Sequence, residues 1–174
     1  MDVWVFGYGS LIFRADFSYT ERRAARLRGF SRRFWQASPD HRGTPEAPGR
    51  VVTLIPDPRG SVIGAAYRIT AAEAPTVLAE LDYRERAGYE RITSEIEFVQ
   101  NPRGRARAIV YQALRDNPNY GELTNAELAA IIRVARGPSG DNTSYVRQLA
   151  AALRALGEAD AHVFEIERLL DENS

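Results

Sequence analysis

The sequence contains no cysteine and no lysine, and these two absences remove several kinds of chemistry. Without cysteine there is no disulfide, no thiolate nucleophile and no cysteine-containing zinc site. Without lysine there is no P-loop lysine, no Schiff-base lysine and no Ser-Lys dyad. Histidine is nearly as scarce, because His41 and His162 are the two histidines and they lie far apart in the sequence, so we expect no metal centre.

A net charge is also missing, because the 23 basic and 23 acidic residues cancel. No overall field therefore draws the chain to nucleic acid or to an anionic membrane. The N-terminus lacks the pattern of a secretion signal, and no apolar run approaches the roughly 20 residues of a spanning helix. We expect a cytoplasmic protein without nucleic-acid or membrane partners, and a chain of 174 residues with 44% hydrophobic content predicts one domain over residues 1–174.

The first informative stretch is a short apolar segment that is followed by two glycines. Residues 3–6 predict a buried strand, and Gly7 and Gly9 allow the backbone to turn sharply after it. Such a turn can direct consecutive backbone N–H groups into one concavity, where they bind a carboxylate or a developing oxyanion. On this segment alone a tight turn without a ligand is the simpler interpretation. A dinucleotide-binding fingerprint is excluded, because its third glycine would fall on Ile12.

Strand and loop patterns fill the first two thirds of the chain. Residues 25–36 mix arginines with apolar and aromatic residues and predict one or two irregular strands. Arginine beside aromatic residues can bind single-stranded nucleic acid, but an edge strand covered by arginine stems fits the neutral charge better. Residues 38–50, with three prolines and two glycines, predict an ordered loop that lines a site.

Two β-hairpins and several helices follow from turn sequences and hydrophobic periodicity. The hairpins are predicted at residues 51–56 and 61–69, around a turn at 57–60, and at 92–98 and 105–114, around a turn at 101–104. Helices are predicted at 74–81, after a capping-box pattern of Thr124 and Glu127, at 143–156 and at 161–170. The order predicts an α+β fold with a curled, largely antiparallel sheet that can close into a barrel, with helices outside it.

One carboxylate stands out as a candidate for chemistry. Glu85 lies between Arg84 and Arg86, which lower the pKa of a carboxyl group, while burial beside Tyr83 or Tyr89 would raise the pKa of Glu85. A solvated charge cluster at a helix end explains the same pattern, so the residues alone leave this choice open.

No residue is evident as a covalent nucleophile. In residues 137–141 a nucleophile elbow fails, because Asp141 stands where glycine is needed, and Asp141 or Asn142 can instead cap the next helix. An enzyme with this composition would use water, or a nucleophile that belongs to the substrate, with a carboxylate as general acid and base.

Four stretches together closely resemble the ChaC-like glutathione-specific γ-glutamylcyclotransferases. They occur in the family's order over nearly the whole chain and are residues 5–11 (Val-Phe-Gly-Tyr-Gly-Ser-Leu), 40–50 (beginning Asp-His-Arg-Gly-Thr-Pro), 81–89 (beginning Leu-Asp-Tyr-Arg-Glu) and 137–145 (beginning Gly-Pro-Ser-Gly). The departures are small, with Phe13 where the family often has Trp and Arg86 where Lys is common.

The resemblance implies a fold, a reaction and a set of site residues. The fold is a small mixed barrel with surrounding helices. The reaction is cleavage of the γ-glutamyl amide of glutathione to 5-oxoproline and cysteinylglycine by the substrate's own α-amino group, with no cofactor and no metal. Glu85 is the matching general base and acid. The implied substrate-binding residues are the loop residues Val5, Phe6, Gly7, Tyr8, Gly9, Ser10 and Leu11, together with Arg42, Tyr89 and Tyr145 from the other matched stretches.

Three alternatives stay open. The substrate can be another γ-glutamyl compound, the chain can be an inactive relative that binds γ-glutamyl peptides, or the arginine-rich strand can bind nucleic acid. Retention of Glu85 argues against the second alternative, and zero net charge argues against the third.

Overall fold

A closed barrel of five strands is the framework of the computed structural model, which describes residues 1–172. Residues 173 and 174, the end of the predicted domain, lie outside the described residues. The barrel strands are β1 (Val3–Gly7), β2 (Glu21–Ser38), β3 (Gly49–Ile69), β4 (Tyr89–Phe98) and β5 (Asn101–Ala113). Their order around the barrel is β1-β3-β2-β4-β5.

The barrel closes where β1 meets β5. These two strands are parallel, with Trp4 opposite Ala108, whereas the other pairs around the barrel are antiparallel. The structure therefore confirms the expected α+β class and the largely antiparallel, mixed barrel.

The predicted first hairpin is wrong, because β3 is one continuous strand through the expected turn. Phe30 of β2 pairs with Pro56 and Arg28 pairs with Ser61, so residues 57–60 bulge out opposite a single β2 residue. The carboxylate of Asp57 accepts hydrogen bonds from Ser31 and from the N–H of Arg59, which holds the bulge in place. A Pro-Gly turn sequence forms an excursion here because the segments on both sides pair with the same long neighbour.

The second hairpin is confirmed, with its turn displaced. Strands β4 and β5 are antiparallel, and the chain reverses at residues 99–100. Glu97 pairs with Arg105 and Phe98 with Asn101, so the expected turn residues 102–104 form a bulge at the start of β5.

Strand β2 is a single strand with irregular pairing, and it does not lie at an edge. It pairs with β3 along its length and with β4 at Ala25 and Arg26, and its register shifts after Arg28 and after Arg33. Several of its arginines bind neighbouring side chains, as Arg28 does with Glu97 and Arg26 with Ser61. The prediction of an edge strand was wrong because the closed barrel leaves β2 flanked on both sides.

Helices cover the barrel and one end of it. They are α1 (Ser10–Phe13), α2 (Ala74–Arg84), α3 (Asn125–Val134), α4 (Asn142–Ala155) and α5 (Ala161–Glu172), and a two-residue ladder of β6 (Arg136–Gly137) and β7 (Gly140–Asp141) joins α3 to α4. The predicted capping box of Thr124 and Glu127 is present at α3. Thr70 and Glu73 hydrogen-bond to each other in a turn before α2, whose first residues include Pro75, and Glu73 is the N-cap without a side-chain capping bond. No helix within residues 1–172 is long and apolar enough to cross a membrane.

Two apolar clusters place the helices against the barrel. The larger one joins side chains inside the barrel with those of α3, α4 and α5. The smaller one packs Val77 and Leu81 of α2 against Val5 and Ile69 on the barrel. Because α2 lies against β1 in this way, the residues at its C-terminal end come next to the glycine turn that follows β1.

Candidate active site

A cavity of about 240 Å³ opens beside the glycine turn, where the four stretches singled out in the sequence meet. Of the expected site residues, the structure brings together in its wall Phe6, Gly7, Tyr8, Gly9, Ser10, Leu11, Arg42, Glu85, Tyr89 and Tyr145. Val5 does not line the cavity, because its side chain is fully buried in the smaller apolar cluster behind it.

The glycine turn brings the backbone close to its surroundings. A Cβ atom on Gly7 would lie 2.6 Å from the Cβ of Leu11, and one on Gly9 would lie 2.9 Å from Cγ2 of Val52. Both distances are too short for ordinary side-chain contacts, so a side chain at either position would force its surroundings to shift. The chain continues directly into α1, where the N–H of Ile12 donates to the carbonyl of Gly9.

Glu85 follows the last turn of α2 and projects into the cavity wall. Its N–H donates to the carbonyl of Leu81, and its side chain is 15% exposed. Among residues 1–172 no donor hydrogen-bonds to its carboxylate; the nearest cation is Nε of Arg84, at 3.9 Å. Burial raises the pKa of Glu85, and the charges of Arg84 and His41 offset that rise in part. The sequence alone left the direction of this pKa shift open. In the structure, burial has a larger effect on the pKa of Glu85 than the neighbouring positive charges have.

Arg84 connects α2 to the glycine turn. Its guanidinium donates to Oγ of Ser10 at 2.8 Å and to the carbonyl of Arg14 at 3.1 Å. It also lines the cavity beside Glu85. The expected influence of an arginine on Glu85 is thus confirmed for Arg84. Arg86 points elsewhere, with its guanidinium 4.1 Å from the ring centre of Tyr83.

Tyrosines surround the carboxylate, but Tyr83 is not one of them. Tyr83 is 71% exposed, so the expectation that it can shield Glu85 was wrong, whereas Tyr89 lines the cavity and its hydroxyl donates to the carbonyl of Val52 at 3.0 Å. Burial raises the pKa of Tyr89, and it raises the pKa of Tyr145 to about 12. Both phenols are therefore neutral donors and acceptors at physiological pH.

The hydroxyls of Tyr8 and Tyr145 form hydrogen bonds to backbone groups of the cavity wall. Tyr8 donates to the carbonyl of Tyr111, and the hydroxyl of Tyr145 accepts from the N–H of Val52 at 3.3 Å. Burial raises the pKa of Tyr8, and the nearby carboxylate of Glu85 adds to that rise. These bonds fix two aromatic side chains in the cavity wall.

The loop between β2 and β3 lines the cavity and contacts the C-terminal end of α2. Nε2 of His41 donates to the carbonyl of Arg84 at 2.9 Å, and Nδ1 lies 3.3 Å from Oγ of Ser139. The guanidinium of Arg42 lies 5.5 Å from the ring centre of Tyr145. These contacts agree with the predicted ordered loop that lines a site.

Arg42 is a buried cation that forms no ion pair with an acidic side chain within residues 1–172. Its Nη1 donates to the carbonyl of Asp141 at 3.1 Å, and the residue is 5% exposed. Burial lowers the pKa of Arg42, as expected for a cation that no carboxylate contacts directly. The position suits the carboxylate of a bound ligand.

Two adjacent residues at the start of α4, Asp141 and Asn142, have different structural roles. Asp141 is the cap, because its Oδ1 accepts from the N–H of Ser144 at 2.8 Å. Asn142 instead spans the backbone of Arg50, accepting from its N–H at 2.6 Å and donating to its carbonyl at 2.8 Å. Of the two capping residues considered from the sequence, Asp141 caps the helix.

A family model described as ChaC-like protein matches residues 3–173. The chain belongs to the ChaC-like family. Glutathione-specific γ-glutamylcyclotransferase 1 of Danio rerio is 39% identical over 97% of this chain and 88% of its own length. The protein of that name from Homo sapiens is 39% identical over 89% of this chain and 71% of its own, and the glutathione-specific γ-glutamylcyclotransferase of Saccharomyces cerevisiae is 36% identical over 87% and 85%.

Solved structures show the same likeness for this ChaC-like chain. A crystal structure of a γ-glutamyl cyclotransferase specific to glutathione from yeast superposes with a TM-score of 0.92, at 31% identity, over 98% of this chain and 96% of that one. A structure named γ-glutamyl cyclotransferase, 15% identical, superposes with a TM-score of 0.58 over 97% and 86%, which shows a shared fold.

Sequence reasoning missed part of the wall of this ChaC-like cavity. Residues that it did not assign to the site, and that line it, include Arg14, Asp16, Phe17, Val52, Arg84 and Tyr111. Arg84 could have been predicted from the sequence, because it is adjacent to Glu85 in a matched stretch. Val52 and Tyr111 could not have been, because their positions depend on which strands meet at this end of the barrel. Within residues 1–172, no three side chains of the metal-ligating types are grouped to hold an ion.

Proposed function

We propose that this chain cleaves the γ-glutamyl amide of glutathione and releases 5-oxoproline and cysteinylglycine. The observation that carries the proposal is the carboxylate of Glu85, which lies largely buried in a cavity that the tight glycine turn also lines. The named activity of the relatives at 36–39% identity supports the choice of substrate. The reaction needs no nucleophile from the protein, which suits a chain that has no cysteine and no lysine.

Proton transfer is the task of Glu85 in this proposal. The α-ammonium of the substrate titrates near 8, so it must lose a proton before its nitrogen can attack the γ-carbonyl. The carboxylate accepts that proton, and the raised pKa of Glu85 brings its proton affinity closer to that of the amine. The amine nitrogen then attacks the γ-carbonyl and closes a five-membered ring, and the protonated carboxyl gives its proton to the departing cysteinylglycine nitrogen as the γ-amide C–N bond breaks. The ring nitrogen loses its second proton through the carboxylate to the released amine, which leaves as an ammonium. Glu85 ends the cycle ionised, as it began.

Binding and charge stabilisation fall to the other walls. The backbone N–H groups of the glycine turn are suited to the oxyanion that develops on the γ-carbonyl, where a single donor is worth about 3–4 kcal/mol. Arg42 is suited to a carboxylate of the substrate, because no acidic side chain within residues 1–172 forms an ion pair with it. Holding the glutamyl chain folded supplies proximity, which contributes about 7–11 kcal/mol at best.

The test is 5-oxoproline release from reduced glutathione by the purified chain and by Glu85→Gln. We expect kcat to fall by about a thousandfold or more in Glu85→Gln, because the amide keeps the shape of the side chain but cannot accept the proton. Glu90→Gln is the matched control, because Glu90 is an exposed residue of β4 outside the cavity wall. It should turn over glutathione at the normal rate.

Three outcomes would change the proposal. Release from γ-Glu-Ala that equals or exceeds release from glutathione would move the substrate to another γ-glutamyl compound. No release from either substrate by a well-folded chain would favour the binding-only alternative. Salt-dependent binding of single-stranded nucleic acid that is unaffected by Glu85→Gln would support the nucleic-acid alternative.

A further inference from the structure

A fully buried arginine lies directly behind the glycine turn, outside the cavity wall. The side chain of Arg32 has no exposed surface, although the residue lies on a strand whose other arginines are at least partly accessible. Burial of a guanidinium is unfavourable unless its charge is balanced and its N–H groups are bonded. Because burial of its guanidinium is unfavourable, we expect Arg32 to have a structural or functional role.

The three hydrogen bonds of Arg32 show what it holds. Nε donates to the carbonyl of Tyr8 at 2.7 Å, Nη2 donates to the carbonyl of Ile63 at 2.7 Å, and Nη1 donates to Oδ2 of Asp160 at 2.6 Å. Tyr8 is the middle residue of the glycine turn. Arg32 therefore joins the turn to β3 and to the residue that precedes α5.

The bond to Tyr8 fixes a peptide group whose other end belongs to Gly9. There are no cis peptide bonds within residues 1–172, so the C=O of Tyr8 and the N–H of Gly9 point in opposite directions. Arg32 holds the carbonyl toward the protein interior, and Gly9 lines the cavity. The N–H of Gly9 is thereby directed away from Arg32.

We propose that Arg32 is a positioning residue, which holds the Tyr8–Gly9 peptide so that the N–H of Gly9 donates to the substrate in the cavity. This inference rests on the proposed function, because the donor serves the developing oxyanion or a carboxylate of a γ-glutamyl substrate. Glycine gives the turn a wide choice of backbone angles, so an outside contact is needed to select one orientation of this peptide. A preset donor needs no reorganisation during the reaction, which is the condition for effective electrostatic stabilisation.

Asp160 makes the buried cation tolerable and connects it to the C-terminal helix. One carboxylate oxygen binds Arg32, and the other accepts from the N–H of Val163 at 2.9 Å, in the first turn of α5. The start of α5 therefore supports the glycine turn through a single arginine. Removal of Asp160 alone leaves Arg32 charged and buried, which lowers stability but keeps the bond to Tyr8.

The experiment compares Asp160→Asn with the double variant Arg32→Met/Asp160→Asn. Both keep an asparagine that can cap α5, and they differ in whether residue 32 can hold the carbonyls of Tyr8 and Ile63. The double variant contains no unpaired buried charge, so we expect it to fold. We expect its kcat for glutathione to be about 100-fold below that of Asp160→Asn, with a smaller change in KM. Amide hydrogen exchange of residues 8–11 should be faster in the double variant.

The readouts separate this inference from the proposed function. If the natural chain releases 5-oxoproline and the two variants share the same kcat, the positioning role is overturned. If the natural chain releases none, the proposed function fails, and hydrogen exchange decides alone: equal protection of residues 8–11 in both variants overturns the anchoring by Arg32. Should the double variant not fold, Arg32→Lys takes its place. Lysine keeps the charge beside Asp160 but lacks the planar fork, so the same losses are expected against the natural chain.

Discussion

At the residue scale, the cavity shows how one carboxylate acquires a pKa suited to proton transfer. Glu85 has a cation 3.9 Å away, yet burial has the larger influence and raises its pKa. The reason is that its carboxylate accepts no hydrogen bond within residues 1–172, so nothing replaces the water lost on burial. The charge of Arg84 offsets this rise only in part, because its guanidinium is held by Ser10 and the carbonyl of Arg14 and makes no closer bond to Glu85.

The first prediction at this scale concerns Arg84→Gln and the pH dependence of turnover. Arg84 lowers the pKa of Glu85, so its removal should raise that pKa further. A general base is active when ionised, and activity is lost as the pH falls through its pKa. The acidic limb of the kcat/KM profile should therefore move to higher pH. Its plateau should fall by about tenfold, because the charged hydrogen bond to Ser10 is also lost.

Arg86→Gln is the matched control for this prediction. Arg86 lies on the other side of Glu85 in the sequence, but its guanidinium packs on the exposed ring of Tyr83. The profile of 5-oxoproline release against pH should be unchanged in this variant. An acidic limb that stays in place or moves to lower pH in Arg84→Gln would contradict the influence of Arg84 on the pKa of Glu85.

At the scale of elements, the contact between β2 and α5 depends on a neutral histidine. The pairing register of β2 shifts between Arg33 and Gln36, and the N–H of Phe34 in this interval donates to Nε2 of His162 at 3.0 Å. Burial, together with the charge of Arg33, lowers the pKa of His162 to about 4. A proton on Nε2 would remove the acceptor that Phe34 needs.

This contact predicts a loss of stability in mild acid. The pKa of His162 is depressed in the folded chain, to about 4 from 6.5, so below pH 6.5 the unfolded chain binds a proton that the folded chain does not. The stabilisation from the neutral ring is present above 6.5 and is lost as the pH falls toward 4. Between about pH 7.5 and about pH 5 the free energy of unfolding should fall by about 2 kcal/mol from this group alone.

Urea unfolding of the natural chain and of His162→Gln at the two pH values checks this prediction. Glutamine can accept from Phe34 but does not titrate, whereas the other ionisable groups are the same in both chains. The natural chain should lose about 2 kcal/mol more than the variant over this interval. An equal loss in the two chains would show that His162 is not the group responsible.

At the scale of the whole molecule, the barrel and the C-terminal helices share one core. Ile166 of α5 is fully buried in the same cluster as the barrel residues Leu27 and Phe34. The C-terminal helices therefore bury their apolar side chains in the hydrophobic core of the barrel. We therefore propose that residues 1–174 unfold as one cooperative domain.

The corresponding prediction is that Ile166→Ala weakens the barrel as much as the helices. Truncation of a buried isoleucine should lower the free energy of unfolding by about 2–5 kcal/mol. Tryptophan fluorescence reports the barrel strands through Trp4 and Trp35, and circular dichroism reports the helices. Both urea midpoints should shift together and by the same amount.

Val134→Ala is the control, because Val134 is 79% exposed at the end of α3. Its effect should stay within about 0.5 kcal/mol. A fluorescence midpoint that does not move in Ile166→Ala, while the helical signal does, would mean that the helices unfold separately from the barrel.

The sequence alone determined what depends on neighbouring residues. The four helices of ten or more residues were predicted because periodicity and capping act within a few residues, and the box of Thr124 and Glu127 is the clearest case. The family, the α+β class and nearly all the expected residues of the cavity wall also followed from short stretches, because the glycine turn and the residues around Glu85 have distinctive local patterns.

Only the tertiary structure decided which distant segments meet. Residues 57–60 have the sequence of a turn but form a bulge, because β2 pairs with both halves of β3. Tyr83 and Tyr89 are both near Glu85 in sequence, but the fold leaves Tyr83 exposed on α2 and places Tyr89, at the start of β4, in the cavity wall. The sequence does not distinguish Arg32 from the other arginines of its strand, and only the fold brings Tyr8 and Asp160 next to it. Pairing, burial and charge compensation depend on distances across the fold, and no local pattern in the sequence encodes them.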